Sequence, residues 1–123
     1  MGLLGGLLGG ASVDLEALEE ELEAVLLDGE EVEAAFKFSR DLFVFTTKRL
    51  IFVDRESLAG KRVEYRSIPY RSIHQFSVET SGRSDREAEL SIWIAGEVRP
   101  FAYEFKRGAD IVGLHRTLAR YVL

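Results

Sequence analysis

Residues 31–54 read EVEAAFKFSRDLFVFTTKRLIFVD. Three short runs stand here, separated by Ser39-Arg40-Asp41 and Thr47-Lys48. The first run alternates. Val32, Ala34, Phe36 and Phe38 fall opposite Glu33, Ala35 and Lys37, the twofold period of a strand with one buried face. The second, Leu42–Thr46, is apolar on both faces and reads as a central strand. In the third, Arg49–Asp54, Leu50 and Phe52 alternate with Ile51 and Val53. Short polar stretches between β-branched and aromatic runs are hairpin signals, so an antiparallel sheet is expected.

The pattern continues downstream. Lys61–Ser67 sets Val63 and Tyr65 against Glu64 and Arg66. Pro69 in SIPYRSI interrupts the ladder and predicts a turn. His74–Glu79 sets His74, Phe76 and Val78 against Gln75, Ser77 and Glu79. Leu90–Ala95 and Val98–Phe105 complete seven strands, with further turns at Ser57–Gly60, Ser81–Asp85 and Ala95-Gly96-Glu97. The chain ends in a helix over Ala109–Leu123. Its apolar face is Ile111, Leu114, His115, Leu118 and Val122, and Arg116 and Arg120 suit the negative end of the helix dipole. A strongly bent sheet leaves one open corner that such a helix can plug.

Upstream the period is helical. Leu15, Leu18, Leu22 and Val25 make one stripe of a helix over 13–27, with Ser12 as N-cap and Asp28-Gly29 as stop. The expected class is mainly β: a bent seven-stranded sandwich or barrel with a C-terminal helix and an N-terminal acidic helix. Three segments follow: a Gly/Leu tail over 1–11, the acidic helix over 12–28, and a β body over 29–123.

The chain has 123 residues, a one-domain length, and no cysteine, so disulfides and thiolate chemistry are excluded. No apolar run nears the ~20 residues that span a bilayer. The opening lacks the basic start of a secretory signal, and Gly6 stands where a myristoylation motif wants Ser or Thr. The default location is the cytoplasm. Net charge is −5, but it is segregated. Residues 1–31 hold nine acids and no Lys or Arg, which leaves 12 acids against 16 basic residues in the other 92. A segment at −9 therefore precedes a body at +4 and is drawn to a basic surface.

The stretches LLDGEEVEAAFKFSRDLFVFTTKRLIFVD, GKRVEYRSIPYRSIHQFSVET and AELSIWIAG, then YEF and the terminal helix, resemble the bacterial pleckstrin-homology-like (PH-like) domain family, as does the opening MGLLGGLLGGAS. The resemblance implies two near-orthogonal sheets capped by a helix. It also implies a binding or assembly module of ring-like oligomers. The phosphoinositide-binding branch of the wider superfamily places basic residues near its first two strands. Lys37, Arg40, Lys48 and Arg49 lie in that region here, as candidate anion or lipid contacts. Asp41 and Leu42 stand where that branch would carry more positive charge.

No chemistry-bearing set emerges. His74 and His115 fit no metal-ligand spacing, and a His on an apolar face is more often structural. No carboxylate pair is set apart for proton transfer, and no nucleophile elbow accompanies the serines. The opening glycines do not sit between a strand and a helix, so they form no phosphate loop. A non-enzymatic protein with no metal and no cofactor is expected. Nucleic acid is not an expected partner, because the chain is net acidic and its basic residues form no stripe.

The opening carries Leu3, Leu4, Leu7 and Leu8, with glycines four apart at Gly2, Gly6 and Gly10. Burying four leucines yields on the order of 6–12 kcal/mol, and ordering about ten glycine-rich residues costs a similar amount. Such a tag holds only in a groove that already exists, as in a neighbouring subunit. Leu3, Leu4, Leu7, Leu8, Leu15, Leu18 and Leu22 are thus the candidate docking residues of a homo-oligomer. A peripheral membrane module, with the tag inserted beside anionic lipid, is the second reading. A peptide-binding groove between the fifth strand and the C-terminal helix is the third.

Overall fold

The computed structural model of the chain describes residues 13–55, 62–80, 88–106 and 109–123. They fall into two compact units, one ending at Ser67 and the other starting at Ile68. The architecture is mainly β, with a four-stranded and a three-stranded sheet, a C-terminal helix and a short N-terminal helix. The expected turns at Ser57–Gly60 and Ser81–Asp85 lie outside the described residues, as do Ser12 and the Gly/Leu opening.

The first unit holds α1 (Leu15–Glu21), β1 (Val32–Phe38), β2 (Asp41–Thr46), β3 (Arg49–Asp54) and most of β4 (Glu64–Pro69), with the strands in that order across the sheet. β1 and β2 are joined by a two-residue turn, in which Ser39 takes φ 57°. A positive φ there matches the right-handed twist of the flanking strands. All six residues of β2 are buried, as its two-faced apolar pattern requires.

The two faces differ in kind. One is aromatic: Phe36 meets Phe45 edge-on at 6.0 Å, Phe38 meets Phe43 at 5.9 Å, and Phe43 lies 5.0 Å from Phe52. The other is aliphatic, with Ala35, Leu42, Val44, Ile51 and Val53 buried in one cluster with Leu18 and Leu22 of the first helix. Val32 joins this cluster because the β1 register slips between Val32 and Ala34. A bulge places one extra residue in the strand and so turns the preceding side chain to the opposite face. Strict alternation had put Val32 with the phenylalanines.

α1 is shorter than the sequence suggests. Its N-cap is Asp14, whose Oδ1 accepts from the amides of Glu16 at 3.1 Å and Ala17 at 3.2 Å, and the helix ends after seven residues. Residues 22–25 continue as turns, with the Val25 and Leu26 amides donating to the Leu22 carbonyl at 2.8 and 3.0 Å, and two further backbone groups go to side chains. Arg49 donates to the Val25 carbonyl, and the Leu27 amide donates to Glu30 at 2.9 Å. Gly29, at φ 85°, serves the turn into β1 rather than capping the helix.

The second unit holds the end of β4, a 3-10 turn (Tyr70–Ser72), β5 (Ile73–Thr80), β6 (Ala88–Ile94), β7 (Phe101–Phe105) and α2 (Ile111–Val122). β4 closes at Pro69, where the missing amide ends the ladder as expected. β6 pairs antiparallel with both neighbours. A second register slip, between Ile73 and Gln75, buries Ile73 and exposes His74, which simple alternation had placed inward. α2 is capped by Asp110, which accepts from the Gly113 amide at 2.9 Å, and it buries Leu114 and Leu118.

Candidate functional site

Of the four candidate anion contacts, Arg49 is committed to structure. It starts β3 and faces Glu30, whose side chain is fully buried. The Arg49 Nε donates to Glu30 Oε2 and Nη2 donates to Oε1, both at 2.9 Å, a planar fork on a planar carboxylate. Nη2 also reaches the Val25 carbonyl, and Nη1 donates to Ser67 Oγ at 2.8 Å. Glu30 accepts two further bonds, from the Leu27 amide at 2.9 Å and from Thr46 Oγ1 at 2.6 Å. Burial pushes the Glu30 pKa up, but the Arg49 fork, aided by Leu27 and Thr46, prevails and holds it at about 2. The guanidinium is thus neutralised by a carboxylate of its own chain.

The other three do not converge. Lys37 and Arg40 are exposed at the β1–β2 turn, and Lys48 at the β2–β3 turn. A six-residue strand separates those turns, about 17–20 Å. Two cations at one end of a sheet and one at the other make no single phosphate pocket, and the two-residue β1–β2 turn offers no loop to wrap one.

Leu15, Leu18 and Leu22 pack on the chain's own sheet. Leu18 and Leu22 are buried there, and Leu15 lies against the same cluster. Their burial follows from the sheet's need for cover on its aliphatic face. Leu3, Leu4, Leu7 and Leu8 lie outside the described residues.

Two ring contacts link α2 to β5 and to the 3-10 turn before it. Phe76 meets His115 edge-on at 5.4 Å, and Tyr70 stacks on Tyr121 at 5.1 Å. His115 keeps its imidazole exposed beside that contact. Among the described residues, no group of His, Asp and Glu is placed to hold a metal ion.

A cavity of about 410 Å³ opens at one end of the three-stranded sheet. Glu79, Glu89 and Glu104 stand side by side across β5, β6 and β7 and line it, with Lys106 at its edge. Thr80 and Ala88, which flank the undescribed residues 81–87, also line it.

Two exposed faces gather residues that the sequence already sets apart by charge, Arg116 and Arg120 on one and Glu16, Glu20 and Glu23 on the other. On α2, Val112, Arg116 and Arg120 face solvent, with Leu123 just beyond; Val112 is 69% and Leu123 93% exposed. Along α1 and its following turn, Glu16, Glu20 and Glu23 are exposed, and Leu27 is 60% exposed. The spacing of three or four residues was visible in both segments. The missing information was which residues the fold uses internally.

Among the described residues, no helix is long and apolar enough to cross a membrane. The bacterial PH domain family model matches residues 2–122. The chain is 52% identical over 121 residues to the uncharacterized protein YjqA of Bacillus subtilis (strain 168), covering 97% of each. It is similar to the crystal structure of a pleckstrin homology domain from Shewanella amazonensis SB2B, with TM-score 0.85, 52% identity and 90% of each chain covered. A DUF1696 family protein with a pleckstrin-homology domain from Shewanella loihica PV-4 matches with TM-score 0.77 and 44% identity, over 90% of this chain and 95% of that one. With a family match over nearly its whole length and a solved pleckstrin homology domain similar at 52% identity, the chain belongs to the bacterial PH domain family.

Proposed function

We propose that this chain is a non-enzymatic scaffold that joins copies of itself into a closed homo-oligomer. The observation that carries the reading is the pair of outward faces just described. One is acidic and the other basic, so each complements the other in charge, and Leu27 on the first and Val112 and Leu123 on the second add apolar ends. The family is generally non-catalytic, which fits a role in assembly. Leu3, Leu4, Leu7 and Leu8 add an apolar tag whose burial needs a partner's groove, and ring closure leaves no such tag unpaired.

Light scattering of the full chain at tens of micromolar tests this. The expected mass is a whole multiple of 13.9 kDa, falling in molar salt. A chain starting at Val13, which keeps α1 but lacks the tag, should assemble more weakly. A full-length mass of one subunit at every concentration overturns the proposal.

Membrane binding is the weaker reading, because Arg49 is neutralised and the remaining candidates lie at opposite ends of the sheet. Flotation with anionic vesicles should recover none of the chain.

A further inference from the structure

α2 turns its apolar stripe inward through Leu114 and Leu118. At 100° per residue, Val112, Arg116, Arg120 and Leu123 fall within about 80° of one another on the opposite side. No Asp or Glu occurs from Ile111 to Leu123, and the nearest carboxylate, Asp110, is occupied with the Gly113 amide. Among the described residues no ion pair engages Arg116 or Arg120. Arg120, in the last turn, suits the dipole, whereas Arg116 lies mid-helix. The dipole gives no reason for Val112 and Leu123 to bracket them in solvent.

α1 offers the matching face. Four of the nine carboxylates in residues 1–31 are spent: Asp14 caps the helix, Glu19 accepts from the Val32 amide at 2.8 Å, Glu21 pairs with Arg55, and Glu30 holds Arg49. Of the others, Glu16, Glu20 and Glu23 lie along α1 and its following turn, exposed and without an ion pair among the described residues. Arg116 and Arg120 are one helical turn apart, about 6 Å along the axis, and so are Glu16 and Glu20. Leu27 supplies the apolar end of the acidic face.

We infer that the outward face of α2 docks on the outward face of α1 in a second copy of this chain. The inference rests on the self-assembly reading and names its contact. Charge selects the occupant. Laying α2 on α2 sets guanidinium against guanidinium, and α1 on α1 sets carboxylate against carboxylate, so like faces repel and only the unlike pairing attracts. Exposed ion pairs are individually weak. The contact needs several of them together with its apolar ends, and it loosens in salt.

Three full-length variants test the pairing by light scattering. Arg116→Glu/Arg120→Glu makes both faces acidic, and Glu16→Arg/Glu20→Arg/Glu23→Arg makes both basic. Each alone should raise the concentration for half-assembly at least ~100-fold. Combining all five changes in one chain exchanges the two faces and should restore the wild-type mass. Circular dichroism confirms that each variant is folded, and Val112→Ser/Leu123→Ser, which alters no charge, provides a second route to weaker assembly. If the wild type assembles and the first two variants keep its mass, this contact is wrong while self-assembly stands. If the five-fold variant stays dissociated, charge pairing of these faces is also overturned. A wild type that never assembles sinks both proposals.

Discussion

Replacing Arg49 with methionine should destabilise the fold at neutral pH and spare it in acid. The side chain neutralises a fully buried carboxylate through two bonds of 2.9 Å and satisfies the Val25 carbonyl and Ser67 as well. Glu30 titrates at about 2 in the folded chain against 4.5 as its ordinary value. A depressed carboxylate contributes stability above its unfolded pKa and loses it as pH falls through the folded one. The window here runs from about 4.5 down to 2. At ~1.4 kcal/mol per pKa unit the contribution is about 3 kcal/mol, which agrees with the ~3–5 kcal/mol for breaking a buried pair from one side. For a chain of this length that corresponds to a fall of about 10 °C in Tm.

Urea melts followed by circular dichroism, at one fixed protein concentration because assembly shifts apparent stability, measure both proteins at pH 7 and pH 3. The wild type should weaken between them and the variant much less, so the gap narrows. Glu30→Leu combined with Arg49→Met should recover much of the loss, since it leaves no charge in the interior. A variant within 1 kcal/mol of wild type at pH 7, or a gap equally wide at pH 3, refutes this account of the pair.

Leu22→Ala should cost about 2–5 kcal/mol in the same melts, because a fully buried side chain between α1 and the aliphatic sheet face leaves a cavity. Asp14→Ala should cost about 1 kcal/mol, the usual value of an N-cap, and Asp14→Asn should recover most of it.

Much of the architecture is legible along the chain. The twofold period around Phe36 and Phe38, the two-faced run of β2 and the stop at Pro69 each reflect a local rule, and each holds. What escaped is non-local. The bulge that turns Val32 over, and the one that buries Ile73 in place of His74, are set by pairing register, which leaves no mark in composition. Arg49 reads as an anion contact because its partner stands 19 residues earlier, in an acidic run whose composition does not single out Glu30. The helix stripe was visible, but its destination was not. β2 and β3 present Val44, Ile51 and Val53 on a second apolar face, and the leucines of α1 are the cover that face demands.

That cover has a practical consequence for anyone shortening this protein. A version begun at Gly29 would retain every strand yet strip the lid from an aliphatic patch, and it would lose the backbone partners that Arg49 holds in the segment before it. Clumping of such a fragment would report bared grease rather than a native association, and failure to clump would not acquit it. Trimming should stop ahead of Val13, whose side chain is the first one seen to belong to the interior.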